Sequence, residues 1–341
     1  MKKLGIASFS ALFCLASAVP VWAQAAAAQT NAVTEACNVK VRASMAKPDD
    51  MKLFDDFIND ANCKDSMYRE AVFTKTFQDA FIANKKWKEV YDLANRYEKE
   101  VPNKSAQTKK FFADYGLTAA TQLGDLDKVL EMADKVLVID PNDLNASVII
   151  TNALPEKYIT LTDQAAKEKN LSRAEDMAKK LLGMKKPDAL TDQVWQLNVM
   201  APAHAVLGFV ALQRMQYEGA SAEFVQAVKI NPKDQMSWFR DGTARTYIAA
   251  TAQKPIPGLF EAANAITVPG PEREAADQKR DAAVKEYTEK RDAAMDPLAT
   301  AAAMGGPIGD AAKKQLISLW EPAHNSTQDG LEEFIAKHKI Q

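Results

Sequence analysis

Residues 201–234, APAHAVLGFVALQRMQYEGASAEFVQAVKINPKD, carry the pattern that most constrains what this chain can fold into. Leu207 and Gly208 fall in a first apolar helix, Tyr217 lies near a turn, and Ala220, Phe224 and Ala227 step along a second helix at spacings of four and three. Those spacings put the second set on one helical face. Pro232 closes the unit, because proline lacks the amide proton and clashes with a preceding helical turn. Large and small apolar residues alternate as two closely packed antiparallel helices require. Such a hairpin cannot bury its apolar face alone, so the pattern implies neighbours of the same kind.

The neighbours are present. Gly124, Asp125, Leu126, Val129, Ala133, Val136 and Pro141 reproduce the turn, second helix and stop, behind a first helix around 111–122. A further copy has Phe77 and Phe81 on its first helix, then Trp87, Val90, Ala94, Tyr97 and Pro102. Trp238 and Gly242 recur where a new first helix would start after Pro232. Between Pro141 and Ala201 lies a degraded copy, with 145–154 as its first helix and Leu171, Ala174, Ala178 and Leu181 on its second; Pro155 is expected to interrupt or end that first helix. The closing prolines Pro102, Pro141 and Pro232 do not follow one fixed period, which predicts insertions at 103–108 and 154–169.

These units resemble tetratricopeptide repeats, whose period is about 34 residues. The resemblance covers residues 66–253, with 201–234 the best unit, and implies an all-α fold, an α-α superhelix of about four unequal hairpins. Gly116 departs from it, standing one position early for the small residue of a first helix. The resemblance further implies a non-catalytic scaffold that binds peptide segments or partner helices in a concave groove. The family's groove-facing positions fall here on Lys75, Asp79, Thr118, Thr121, Phe239, Thr243 and Tyr247, with Arg240 and Arg245 nearby. A known clamp of the family for acidic C-termini pairs a Lys with an Asn four positions on. Lys75 is followed instead by Asp79, whose charge would repel a terminal carboxylate.

At the N-terminus Lys2 and Lys3 precede an apolar run over 4–18, and Pro20 and Val21-Trp22-Ala23 follow. This is the layout of a secretory signal peptide over 1–23, and the run is shorter than the ~20 residues a spanning helix needs. Cys14 sits mid-run behind bulky Phe13, which argues against lipidation. The expected destination is the periplasm, with no membrane insertion after cleavage. Loss of 1–23 would leave 41 basic and 45 acidic residues, a net charge of −4 with no basic run to suggest nucleic acid.

Residues 24–48 read as a flexible lead-in with the start of an N-terminal cap, and 49–65 as a capping helix with Leu53, Phe54, Phe57, Ile58 and Ala61 on one face and Asp49 or Asp50 as N-cap. Cys37 and Cys63 flank it, and export favours a bridge between them that staples the cap to the first repeat; two unpaired buried thiols are the alternative.

Catalytic patterns are sparse. His204, His324 and His338 lack a second ligand at helical spacing, no phosphate- or dinucleotide-binding glycine motif occurs, and 305–309 reads as a linker. The expectation is no enzyme, no cofactor and no metal. Residues 254–341 read as a helical C-terminal extension: breakers at 255–258 and 269–271, a charged helix over 272–295 that lies loosely or projects, and two apolar faces (Leu316, Ile317, Leu319, Trp320; Leu331, Phe334, Ile335) that cap the array or dock a partner. An envelope-assembly component and an accessory subunit of an enzyme are the alternatives to a scaffold. The signal-peptide assignment predicts that protein recovered from the periplasm of its source cells begins at Gln24; intact-mass measurement showing residues 1–23 retained would contradict it.

Overall fold

The turns between paired helices repeat a single backbone device. In the computed structural model, which describes residues 35–102 and 104–340, Lys85, Gly124 and Met215 all have left-handed φ, of 53°, 69° and 61°. Each is followed by one capping residue and then by a second helix starting at Trp87, Leu126 or Tyr217. The left-handed region costs a residue with a Cβ about 1 kcal/mol or more, so Lys85 and Met215 are held there by the helices they join. The described residues contain helices and no strands. The expected signal peptide, the lead-in before residue 35 and Asn103 lie outside them.

The chain divides into two units, 1–153 and 154–341. In the first, α1 (Glu35–Ala46) pairs with α2 (Met51–Ile58), which Asp50 caps through the amides of Lys52 and Leu53. Phe54, Phe57 and Ile58 on α2 are buried, whereas Ala61 of the expected face is exposed. The residues read as lead-in therefore include a helix. Cys37 on α1 is disulfide-bonded to Cys63 in the 3-10 turn Ala61–Cys63, so the bridge closes the α1–α2 pair itself. The next first helix is α3 (Arg69–Lys75), continued as a π-helical stretch over Thr76–Ile82, and it packs on α4 (Trp87–Glu100). Then come α5 (Ala106–Leu123), α6 (Leu126–Ile139) and α7 (Leu144–Thr160), which carries the unit boundary.

The core of this unit is aromatic. Tyr97 stacks on Phe112 at 3.9 Å between ring centroids, Phe73 meets both edge-on, and Phe54 and Phe77 extend the cluster. The Tyr97 hydroxyl donates to Glu70 at 2.7 Å, and the same carboxylate accepts from the amide and hydroxyl of Ser105, the N-cap of α5. Burial, then this carboxylate, push the Tyr97 phenol well above its ordinary range.

The second unit contains α8 (Gln164–Gly183), α9 (Asp192–Trp195) with the π-helical stretch Gln196–Met200, α10 (Ala201–Gln213) and α11 (Tyr217–Ile230). The run from Asp192 to Gln213 is long and apolar enough to cross a membrane by length and composition. Here it buries Val199, Ala203, Val206, Phe209 and Val210 and packs against α8 and α11. Then follow α12 (Gln235–Gln253), α13 (Ile256–Ala265), α14 (Pro271–Ala303), α15 (Gly306–Ala323) and α16 (Leu331–Lys337).

Three glycines mark where helices touch. A Cβ on Gly208 would lie 2.8 Å from the Phe224 ring, and one on Gly116 would lie 2.1 Å from the terminal methyl of Met132. In both hairpins the partner stands 16 positions further along, so the early placement of Gly116 is shared by its partner and the packing is preserved. A Cβ on Gly242 would meet Leu298 Cγ at 2.5 Å and its backbone nitrogen at 3.1 Å, 56 positions along the chain. Thus α12 finds its second helix in the C-terminal part of α14, and 40 residues, including α13 and the charged start of α14, are inserted within that hairpin. Gln235 ties the pairing by donating to the carbonyls of Ala301 and Gly305 at 2.8 Å each.

Three sequence expectations change. The packing continues past residue 253, because Ala294, Met295, Leu298, Ala299 and Ala301 share a buried cluster with Leu316, Trp320, Leu331 and Ile335. The charged helix does not project: its first part meets α13, with Arg280 over Phe260 and Arg273 donating to the Ile266 carbonyl. Pro155 lies inside α7 rather than ending it, and extra length at 154–169 is mostly helical.

Replacing these glycines by alanine should order the three contacts. Gly242→Ala is expected to cost about 2–3 kcal/mol because a backbone atom must move, and Gly208→Ala about 1–2 kcal/mol against the aromatic ring. Gly116→Ala should stay within about 0.5 kcal/mol, since Met132 can swing its methyl away and alanine favours helix. Urea unfolding followed by far-UV circular dichroism checks the order; a Gly242→Ala protein as stable as the parent would refute the α12–α14 packing.

Candidate binding surfaces

The nine groove positions fall in both units. In the first, Lys75 and Asp79 form an ion pair with each other at 2.5 Å. Thr118 and Thr121 donate their hydroxyls back to the carbonyls of Asp114 and Leu117 on the same helix. Beside them on α5, Phe111 and Tyr115 are half-buried, 4.9 Å apart between ring centroids, and both rings meet Phe77. These rings were not among the expected groove residues, although their spacing of four with Phe111 puts them on the face that Thr118 continues.

In the second unit the five positions occupy different faces of α12. Phe239 packs against the C-terminal cluster, and the Thr243 hydroxyl lies 3.0 Å from Gln315 of α15. Arg245 turns away to Asp241. Arg240 lies over the Phe209 ring of α10 at 4.9 Å. Tyr247 stacks on Tyr217 of α11 at 4.8 Å and keeps 48% of its surface exposed. Phe239, Thr243 and Arg245 are thus engaged within the fold, whereas Tyr247 is exposed and Arg240 half-buried, each against an aromatic partner.

Asp241 is the polar centre that the sequence reading missed. It is 1% exposed, accepts from Ser221 Oγ at 2.5 Å, and receives Arg245 Nε on both carboxylate oxygens at 3.0 Å. A buried carboxylate is retained only when paired and hydrogen-bonded, and these two side chains supply both. The i, i+4 spacing of Asp241 and Arg245 was the available signal. The pair opens on a cleft of about 430 Å³ walled by Val225, Val228, Trp238 and Pro297, with Lys229 and Asp296 at its rim.

The histidines serve packing and hydrogen bonding. His204 Nδ1 meets Glu223 at 2.7 Å between α10 and α11, His324 stacks on Trp320 at 3.8 Å, and His338 joins Phe334 and Asp296. Among the described residues no group of three or more His, Cys, Asp or Glu is placed to hold a metal ion.

No family model and no curated protein matches the chain. Eleven chains of solved structures do. One is a tetratricopeptide repeat protein from Parabacteroides merdae ATCC 43184, 14% identical, covering 85% of this chain and 99% of its own, with a TM-score of 0.34.

The Asp241 network makes a specific prediction. Arg245→Met should destabilise the protein by about 2–4 kcal/mol, because Asp241 would stay buried with Ser221 alone against it. Adding Asp241→Asn should recover part of that loss. A double variant no more stable than Arg245→Met, measured by urea unfolding, would show that the pair is not coupled.

Proposed function

We propose that this chain is a non-catalytic scaffold that binds a segment or helix of a partner protein along the faces of its first helices, and that it works in the periplasm after export. The observation that carries the reading is Tyr247. It sits on a first helix, half in solvent, yet is fixed by its stack on Tyr217. A large aromatic that is exposed and already ordered gives contact area at little entropic cost, which is what binding surfaces favour. Phe111 and Tyr115 on α5 offer surface of the same kind in the first unit. The repeat positions of second helices point inward: Ala133 and Val136 on α6, and Ala220, Phe224 and Ala227 on α11, are fully buried. The export part of the reading rests on the Lys-Lys start, apolar run and Val21-Trp22-Ala23 of residues 1–23.

Site-specific photocrosslinking in the source cells tests this. A photoreactive amino acid at Tyr247 or Thr118 is expected to capture a discrete partner protein in the periplasmic fraction. The same group at Val138, 84% exposed on the second helix α6, is expected not to. Capture at Val138 equal to that at Tyr247, or at none of the three, would overturn the reading.

A further inference from the structure

Two cations in the second unit, Arg240 and Lys167, stand against aromatic rings rather than carboxylates. Arg240 on α12 lies over the ring of Phe209 on α10, which meets Tyr158 of α7 edge-on at 5.5 Å between centroids; Lys167 of α8 stands 5.3 Å from the centroid of Tyr158. The four side chains form a row: cation, ring, ring, cation. Neither the Arg240 guanidinium nor the Lys167 ammonium makes an ion pair or hydrogen bond with a described residue. The nearest charge acting on Arg240 is Asp234, whose carboxylate is spent on the amide and hydroxyl of Ser237. Every other arginine of α12 and α14 whose ion pairs are described has a carboxylate beside it: Arg245 has Asp241, Arg273 has Asp277, Arg280 has Asp277 and Asp281, Arg291 has Asp292.

The fold gains little from this arrangement. Burial pushes the Arg240 guanidinium below its ordinary range, against the pull of the Asp234 charge. Lys167 lies in the first turn of α8, where the helix dipole repels a cation. A guanidinium has five N–H donors in a planar fork, and desolvated donors without acceptors are costly until an acceptor arrives. The aromatic rings hold both cations in place, and both residues are half-buried, so each keeps part of its surface in solvent.

We infer that this row is a binding site for an acidic peptide segment of the partner protein, with one carboxylate on Arg240 and a second on Lys167. The inference rests on the scaffold reading and names the chemistry of its ligand. The contacts along the row put the two cations no more than about 16 Å apart. At about 3.3 Å per residue, five residues of extended chain cover that distance, so the two acids belong to one short segment. Arg240 is suited to bidentate capture and Lys167 to a looser point contact.

Fluorescence anisotropy with the full mature chain tests the site. The probes are fluorescein-labelled decapeptides of alternating Glu and Ala, and of alternating Lys and Ala. The Glu peptide is expected to bind, to weaken as salt screens the contact, and to lose at least tenfold in affinity with Arg240→Met; the Lys peptide is expected not to bind. Lys167→Met, at a position that carries no packing in the core, should lose about threefold or more with an unchanged melting curve, and decides the matter if Arg240→Met fails to fold. Absence of Glu-peptide binding, equal binding of both peptides, or undiminished affinity in the folded variants would overturn the site. Partner capture at Tyr247 that survives in those variants would leave the scaffold reading standing while this one falls.

Discussion

Two helices can approach until their backbones nearly touch only where one of them lacks a side chain, and the second unit is organised around two such places. Gly208 accepts the Phe224 ring and Gly242 accepts Leu298 against its own Cα. Close approach lets dispersion act over many atom pairs at once, which is where a thin helical layer finds its stability. It also fixes register, because a side chain one turn away would clash. The buried alanines follow from the same constraint: Ala220, Ala227, Ala244, Ala299 and Ala301 are all at or near zero exposure, small enough to keep the helices at that distance.

Because the constraint acts in space, it does not require the paired helices to be adjacent in sequence. The hairpin begun by α12 is completed by the end of α14, and the intervening segment is left outside that packing. Its composition agrees with this. From Glu272 to Asp292 the helix pairs its own charges at one, three and four residues, such as Arg273 with Asp277 and Lys290 with Glu286, and such pairs add only about 0.2–0.5 kcal/mol each. From Ala294 onward the residues turn apolar and buried within a few positions. One continuous helix therefore carries a charged stretch that meets α13 at one end, where Arg280 lies over Phe260, and a core element at the other. The C-terminal helices α15 and α16 then cover the apolar surface that an unfinished array would expose.

How much of this was legible in the sequence follows from how local each feature is. The contiguous hairpins were readable because Gly208, Ala220, Phe224, Ala227 and Pro232 fall at fixed short spacings, and the Asp50 cap and the Cys37–Cys63 bridge are likewise set by nearby residues. The α12–α14 pairing was not, since nothing close to Gly242 in sequence announces that its partner is Leu298. Pro155 misled because a proline inside a helix is unfavourable on average, and here the helix continues through it. The groove residues fared differently again. Their spacing put them on first helices but did not show their partners, so Phe239 and Thr243, which lie against the C-terminal helices, looked the same as Tyr247, which is half exposed.

Arg240 and Arg245 make the general point on a single helix. They have the same side chain, stand five positions apart, and both carry a full charge into a partly desolvated setting. Arg245 meets a buried carboxylate on its own helix, so its charge is used up in holding Asp241, and the pair belongs to the fold. Arg240 meets an aromatic face, which steadies the cation without neutralising it. The difference arises from where α10 and α11 stand relative to α12: one side of the helix looks onto Phe209, the other onto Ser221 and the cleft. A stability requirement accounts for the first arginine and leaves the second unexplained. At Arg240 the structure is complete as a fold and incomplete as an electrostatic arrangement, and a partner that brings a carboxylate there meets a cation whose desolvation the free protein has already borne.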